Sequence, residues 1–218
     1  MKTRKPFSKE IILLENLNQV VDDIAQKLRQ DILVNFKRNG AVVGISGGID
    51  SSVCLALSVK AFGAEKVLGI IMPEKDSSPD SEELALELAA RFGIRTVKEV
   101  ITDALTGFRC YERRDEAVKR VFPEYDPKTW KMKIGVRQSG LYNNLPPLFT
   151  LTVIDSDGNQ KDKILHAPEY LQIVAASNFK QRSRMSILYY HAEALHYAVI
   201  GTPNKHEQEQ GFFVKYGD

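Results

Sequence analysis

Apolar residues in this chain recur with two different spacings, and an element changes wherever one spacing gives way to the other. Near the N-terminus, Ile12, Leu13, Leu17, Val20, Val21, Ile24, Leu28 and Ile32 return every three or four positions. That period predicts a long amphipathic helix over Ser8–Arg38, capped by Ser8 and ended by Asn39-Gly40. Its stripe suits the cover of a sheet, and its length leaves room for a subunit interface. The pattern then becomes continuous. Ala41–Ile45 is an uninterrupted apolar run, as expected of a parallel strand buried on both faces. A helix follows over Ser51–Phe62, a second strand over Lys66–Met72 closed by Pro73, and a polar loop over Glu74–Pro79. Asp80–Phe92 predicts a helix with Leu84, Leu88 and Phe92 inward, and Thr96–Ile101 a third strand. Strands alternating with helices at this spacing predict an α/β fold, a doubly wound parallel sheet flanked by helices. Such sheets bind ligands at the carboxyl ends of their strands.

Thr102–Leu148 is less regular. Glu112–Arg120 reads as a charged helix whose charges form a solvated face. Pro123, Pro127, Pro146 and Pro147 break the following chain into loops. Leu148–Ile154 and Lys161–Leu165 predict a β-hairpin around Asp155-Ser156-Asp157-Gly158-Asn159, an excursion from the main sheet. Pro168–Tyr197 returns to helix, and Ala198-Val199-Ile200 reads as a fourth buried strand ending at Gly201-Thr202-Pro203-Asn204. Gly211–Asp218 holds no evident element.

Composition narrows the class. With 218 residues, 43% hydrophobic and 27% charged, the chain suits one soluble domain with a sizeable core. A net charge of only +2 gives no global attraction to nucleic acid or to an anionic membrane. No stretch is long and apolar enough to span a bilayer, and no uninterrupted apolar region follows the basic N-terminus, so a signal peptide is not expected. Two cysteines make no disulfide framework, which fits a reducing cytoplasm, and Cys54 reads as a core residue. His166, His191, His196 and His206 have no metal-ligand spacing, and His191 and His196 read as structural.

The candidate chemistry lies between the first strand and its helix, in Val43-Gly44-Ile45-Ser46-Gly47-Gly48-Ile49-Asp50-Ser51-Ser52. Free N–H groups at a helix start, glycines that admit a close ligand, and serine hydroxyls together make an anion cradle. A carboxylate beside a phosphate is repelled unless a divalent cation sits between them, and Asp50 raises that point. The stretch lacks the lysine of the common phosphate loop, and it does not fit the dinucleotide fingerprint G-x-G-x-x-G.

Ser-Gly-Gly-x-Asp-Ser instead resembles the pyrophosphate loop of the ATP pyrophosphatases, which cleave ATP to AMP and pyrophosphate while adenylating a substrate. Two later stretches sharpen the resemblance: Asn178-Phe179-Lys180-Gln181-Arg182-Ser183-Arg184-Met185, and Gly201-Thr202-Pro203-Asn204-Lys205-His206-Glu207 leading to Gly211-Phe212-Phe213-Val214-Lys215-Tyr216-Gly217-Asp218. In that order they look like the signatures of the NAD synthetase family. The resemblance implies an adenine nucleotide alpha hydrolase-like sheet over a single domain, 1–218, with an atypical insertion at about 108–176. It implies ATP-dependent, ammonia-dependent amidation of deamido-NAD to NAD through an adenylate, with magnesium as cofactor. By motif, Gly44, Ile45, Ser46, Gly47, Gly48, Ile49, Asp50, Ser51 and Thr202 would contact ATP. Asp50 and Glu207 would hold magnesium, Arg182 and Lys215 would contact deamido-NAD, and Asp50 and Lys215 would be the catalytic pair. Taken without the motif, Glu207 could simply stabilise a helix N-terminus and Arg182 and Lys215 could be surface charges. A homodimer is expected, and a separate glutaminase supplying ammonia is left open.

Three departures bear on these expectations. Family sequences continue past the Lys-Tyr-Gly-Asp stretch, so a C-terminally truncated chain is expected. The segment Phe108–Ala176 differs from the compact bacterial pattern, and Ile71 stands where some relatives carry arginine. Two other readings stay open here: adenylation of a different small carboxylate, and a nucleotide-binding module without turnover.

Overall fold

The structure, a computed structural model, describes residues 13–137 and 148–217. The chain divides into two compact units, Met1–Glu99 with Ile187–Gln208 and Val100–Ser186 with Glu209–Asp218. The second unit takes in the expected insertion and extends beyond it at both ends.

In the first unit a parallel sheet has the order β3-β2-β1-β7, built from β1 (Ala41–Gly44), β2 (Val67–Ile71), β3 (Arg95–Lys98) and β7 (Ala198–Ile200). Every residue of β2 is buried, as are Ala41, Val42 and Val43 of β1. Burial on both faces is what their unbroken apolar runs require. α2 (Ile49–Phe62) and α3 (Pro79–Phe92) are the crossovers, and Leu55, Ala61, Phe62, Ala85 and Ala89 pack with the strands in one core. The sheet, its order of elements and its flanking helices match the α/β expectation. Strands β2 and β3 lie on one side of β1 and β7 on the other, so the winding reverses between β1 and β7.

Several boundaries differ from the sequence reading. The first helix, α1 (Leu17–Arg29), begins at Asn16, whose side chain accepts from Gln19 N–H at 3.1 Å. Ser8 and Ile12 lie outside the described residues. The helix passes into a π-helical turn at Gln30–Asn35, closed by Phe36 N–H donating to Asp31 O at 2.8 Å. Of the expected apolar stripe, Leu28 and Ile32 reach the core, joined there by Ala25, while Leu13, Leu17 and Ile24 are exposed. Leu84 is exposed too, whereas Leu88 and Phe92 pack against the core as expected, beside the fully buried Ala85 and Ala89. The third strand is shorter than expected, because Ile101 already precedes α4 (Thr102–Gly107).

The second unit holds α4, α5 (Cys110–Val121) and an antiparallel sheet of order β4-β5-β6, from β4 (Lys131–Arg137), β5 (Leu148–Ile154) and β6 (Gln160–Ile164). The hairpin of β5 and β6 was legible; β4 was not. Asp155 Oδ1 accepts from the backbone N–H of Asp157 at 3.0 Å and of Asn159 at 2.8 Å, which fixes the turn. Hydrogen bonds from the Asn159 side chain and backbone hold the Asp155 carboxyl below its ordinary range. The charged helix α5 is only half solvated. Cys110, Tyr111, Asp115, Ala117 and Val118 are buried, and Asp115 pairs with Arg114 at 2.8 Å. The core here gathers Val118, Phe122, Tyr125, Leu151, Val153 and Ile173. α6 (Ala167–Leu195) begins in this unit and ends in the first. Pro146 and Pro147 lie outside the described residues.

Gly40 earns its place differently from a helix terminator, since Lys37 at φ 54° already ends the helix. A Cβ at Gly40 would collide with Lys66 O and sit 2.8 Å from the Tyr197 ring. Gly40→Ala should therefore lower unfolding free energy by about 1–3 kcal/mol, the usual range for overpacking. Urea denaturation measures it, and an unchanged midpoint would contradict the crowding described.

Candidate active site

The loop between β1 and α2 is organised by its own serines. Ile45 N–H donates to Ile70 O at 2.9 Å, so strand pairing continues to the edge of the loop. Gly47 then turns the chain at φ +75°, a conformation glycine adopts without strain. A Cβ there would stand 2.9 Å from Leu84 Cβ and 3.0 Å from Ser81 O. Ser51, on the first turn of α2, is buried and works inward. Its Oγ donates to Gly48 O at 3.0 Å, accepts from Ser46 N–H at 3.3 Å and lies 3.2 Å from Ser46 Oγ. Gly48 N–H donates to Ser46 Oγ at 3.3 Å, and Ser52 Oγ donates to Gly48 O at 2.8 Å. The first α-helical bond is Ser52 N–H to Gly48 O at 3.1 Å, so the N–H groups of Ile49, Asp50 and Ser51 have no partner within the helix. Those three donors and the helix dipole form an anion-attracting end. Asp50 is exposed on the same turn.

Parallel pairing brings a second loop alongside. Val43 of β1 is level with Ile200 of β7, so the segments after both strands leave the same end of the sheet at adjacent strands. The chain after β7 is Gly201-Thr202-Pro203-Asn204, then α7 (Lys205–Gln210) carrying Glu207. Cys54, one turn after Asp50, closes the gap: its Sγ donates to Gly201 O at 3.7 Å. Burial, and next the Asp50 charge, push the Cys54 thiol pKa up, which keeps it a protonated donor. Glu207 accepts from Asn204 N–H through Oε2 at 2.9 Å and donates its own N–H to Asn204 Oδ1 at 3.0 Å. Thr202 is half-buried.

In the second unit the structure brings Arg182 and Lys215 together. Arg182 Nε donates to Lys215 O at 3.3 Å, and Lys215 Nζ lies 5.0 Å from the Tyr216 ring centroid. Both side chains are exposed.

The sequence model of the NAD synthase family matches residues 18–124 and 150–218 of this chain. The chain belongs to the NAD synthase family. It is 48% identical over 198 residues to the NH3-dependent NAD+ synthetase of Mesorhizobium japonicum, covering 91% of this chain and 61% of that protein. It is 42% identical over 217 residues to the enzyme of the same name from Rhizobium meliloti, covering 100% of this chain and 64% of that one. This chain thus spans about three fifths of the length of the relatives it matches. Among solved structures, an NH3-dependent NAD synthetase from Campylobacter jejuni superposes with a TM-score of 0.61 at 22% identity. That alignment covers 94% of this chain and 64% of the other. At that identity the likeness speaks to fold.

Within this NAD synthase chain, two residues of the site escaped the sequence reading. Cys54 was taken as core, and it does pack against the core, but its sulfur also tethers α2 to the Gly201 loop. Apolar periodicity carries no sign of such a contact. Asn204 was legible in principle, because asparagine followed three residues later by glutamate is a helix-start signature. The histidines read as structural have structural partners: His191 Nε2 lies 2.8 Å from Glu99 Oε1, and His196 Nδ1 lies 3.0 Å from Arg38. Ser51→Ala would remove the hydroxyl that ties the loop to itself. It should cost about 1–3 kcal/mol in thermal or urea unfolding, as expected for buried groups left unpaired. A variant as stable as the parent would show that Ser51 does not organise the loop.

Proposed function

We propose that this chain carries out the ammonia-dependent amidation of deamido-NAD to NAD, cleaving ATP to AMP and pyrophosphate. What supports this most is the pair of motif loops, Ser46–Ser51 and Gly201–Glu207, placed at the ends of adjacent strands where the winding reverses. In this reading the nicotinate carboxylate oxygen attacks the α-phosphorus, the bond from α-phosphorus to the bridging oxygen breaks, and pyrophosphate leaves. Ammonia then attacks the acyl carbon, the carbon–oxygen bond to AMP breaks, and one proton is lost from nitrogen.

The residues divide the work by chemistry. The backbone N–H groups of Ile49, Asp50 and Ser51, beside Gly47 and Gly48, which carry no side chain of their own, receive the charge that builds on the departing pyrophosphate. Gly44 and Ile45 lead the strand into that cradle, Ser46 adds a hydroxyl, and Thr202 contacts ATP. Arg182 and Lys215 supply cationic donors for the phosphates and carboxylate of deamido-NAD. Lys215 and Asp50 are the residues assigned a catalytic role.

Magnesium fits the oxygen donors present. Among the described residues no three His, Cys, Asp or Glu side chains cluster as a metal cage made by protein alone. A magnesium ion beside a triphosphate needs only one or two carboxylates, since phosphate oxygens and water complete its shell. Asp50 and Glu207 are the carboxylates proposed to hold it. When bound, the ion offsets negative charge on the phosphate oxygens.

Among the described residues no helix is long and apolar enough to cross a membrane. A cytoplasmic homodimer is the assembly we propose, with the exposed Leu17 and Ile24 on α1 and Leu13 just before it as apolar surface for a second copy. Free ammonia is the proposed nitrogen source.

Incubation with ATP, Mg²⁺ and ammonia should yield AMP and NAD in equal amounts, and only when deamido-NAD is present. AMP formed without deamido-NAD would point to another carboxylate, and nucleotide binding with no pyrophosphate release would leave a binding module. Asp50→Asn should abolish turnover while circular dichroism shows an intact fold. Near-normal activity in that variant would remove Asp50 from the assignment.

A further inference from the structure

Asn204 and Glu207 exchange two hydrogen bonds. Glu207 N–H donates to Asn204 Oδ1 at 3.0 Å, and Asn204 N–H donates to Glu207 Oε2 at 2.9 Å. This is a capping box with asparagine at the cap and glutamate three residues on. A capping glutamate is ordinarily a helix device and nothing more. Here the helix it starts has only six residues and follows β7 through Gly201-Thr202, beside the strand that feeds the serine loop. The box therefore fixes a carboxylate at the one end of the sheet where both motif loops leave.

Its geometry also settles how two descriptions of Glu207 can both hold. Capping occupies Oε2, while Oε1 has no hydrogen bond among the described residues. A free glutamate samples many rotamers and loses that freedom when it binds an ion. One already bonded to its own helix start has lost most of it in advance, which is the role of the partners behind a metal ligand. Resting on the assignment of Glu207 to magnesium, we infer that Asn204 is the positioning residue for this carboxylate. It holds the glutamate by the helix start and leaves Oε1 for the cation that arrives with ATP.

The probe is Mn²⁺ in place of magnesium, titrated by electron paramagnetic resonance into the full chain with α,β-methylene-ATP. Asn204→Ala and Asn204→Gly remove the side-chain acceptor. Glycine is tolerated at a cap with little loss of helix stability, so it guards against a folding failure. Both variants should weaken Mn²⁺ about tenfold or more, as loss of a supporting partner does in other metal sites. Asn204→Ser keeps an acceptor at the cap and should stay within about threefold of the parent. If alanine and glycine bind Mn²⁺ like the parent while Glu207→Gln does not, the positioning role is wrong and the metal assignment stands. If serine is as weak as alanine, the cap is not what matters and the inference is again wrong. If Glu207→Gln also binds like the parent, the metal assignment itself fails.

Discussion

The parallel pairing of β1 with β7, Val43 level with Ile200, delivers two chemically different loops to one edge of the first unit. One is a helix start with three N–H donors that have no partner within the helix; the other carries a threonine and a restrained carboxylate. Neither loop alone has what the proposed nucleotide site needs. An anion cradle without a nearby carboxylate has nothing to hold a cation against the phosphates, and a capped glutamate without a cradle is only a helix cap. The sheet order supplies the meeting, because β2 and β3 wind to one side of β1 and β7 returns on the other. Burial of β1 and β2 on both faces fixes that register, since slipping it would expose Val42 or Val43 and leave ladder groups unpaired.

Around this edge the chain spends polar groups on rigidity rather than on display. The Ser51 hydroxyl is buried and turned into the loop, where it engages Ser46 and Gly48. Gly47 lies against Leu84 and Ser81 too closely for any side chain. The Cys54 thiol reaches Gly201, and the Asn204–Glu207 pair closes the far side. Such preorganisation means that little has to move when charge develops on a leaving group. The donors left over are backbone N–H groups, which no substitution other than proline removes.

Much of this was legible in the sequence. Continuous apolar runs identified β1, β2 and β7, and the serine-glycine loop taken together with the two later motif stretches pointed to the family and nominated the candidate site. What stayed hidden shares a cause: it depends on partners distant in sequence. Strand β4 reads Lys-Met-Lys-Ile-Gly-Val-Arg, too basic to look like a strand until Leu151 and Val153 of β5 pair with it. The buried Asp115 and its half-buried partner Arg114 looked like surface charge because neighbouring residues on α5 are surface charge. Leu84 looked like core, but the crossover turns Ala85 and Ala89 inward and leaves Leu84 beside Gly47. Gly40 looked like a helix terminator and is a clearance for Tyr197.

In the proposed reaction the N–H groups at the start of α2, together with the loop after β7, receive pyrophosphate. An amide nitrogen–proton NMR titration with magnesium pyrophosphate tests it most directly. Saturable shifts confined to the amides of Gly47–Ser51 and of Gly201 and Thr202 are the predicted result. Saturable binding that moves amides elsewhere and leaves these in place would contradict it.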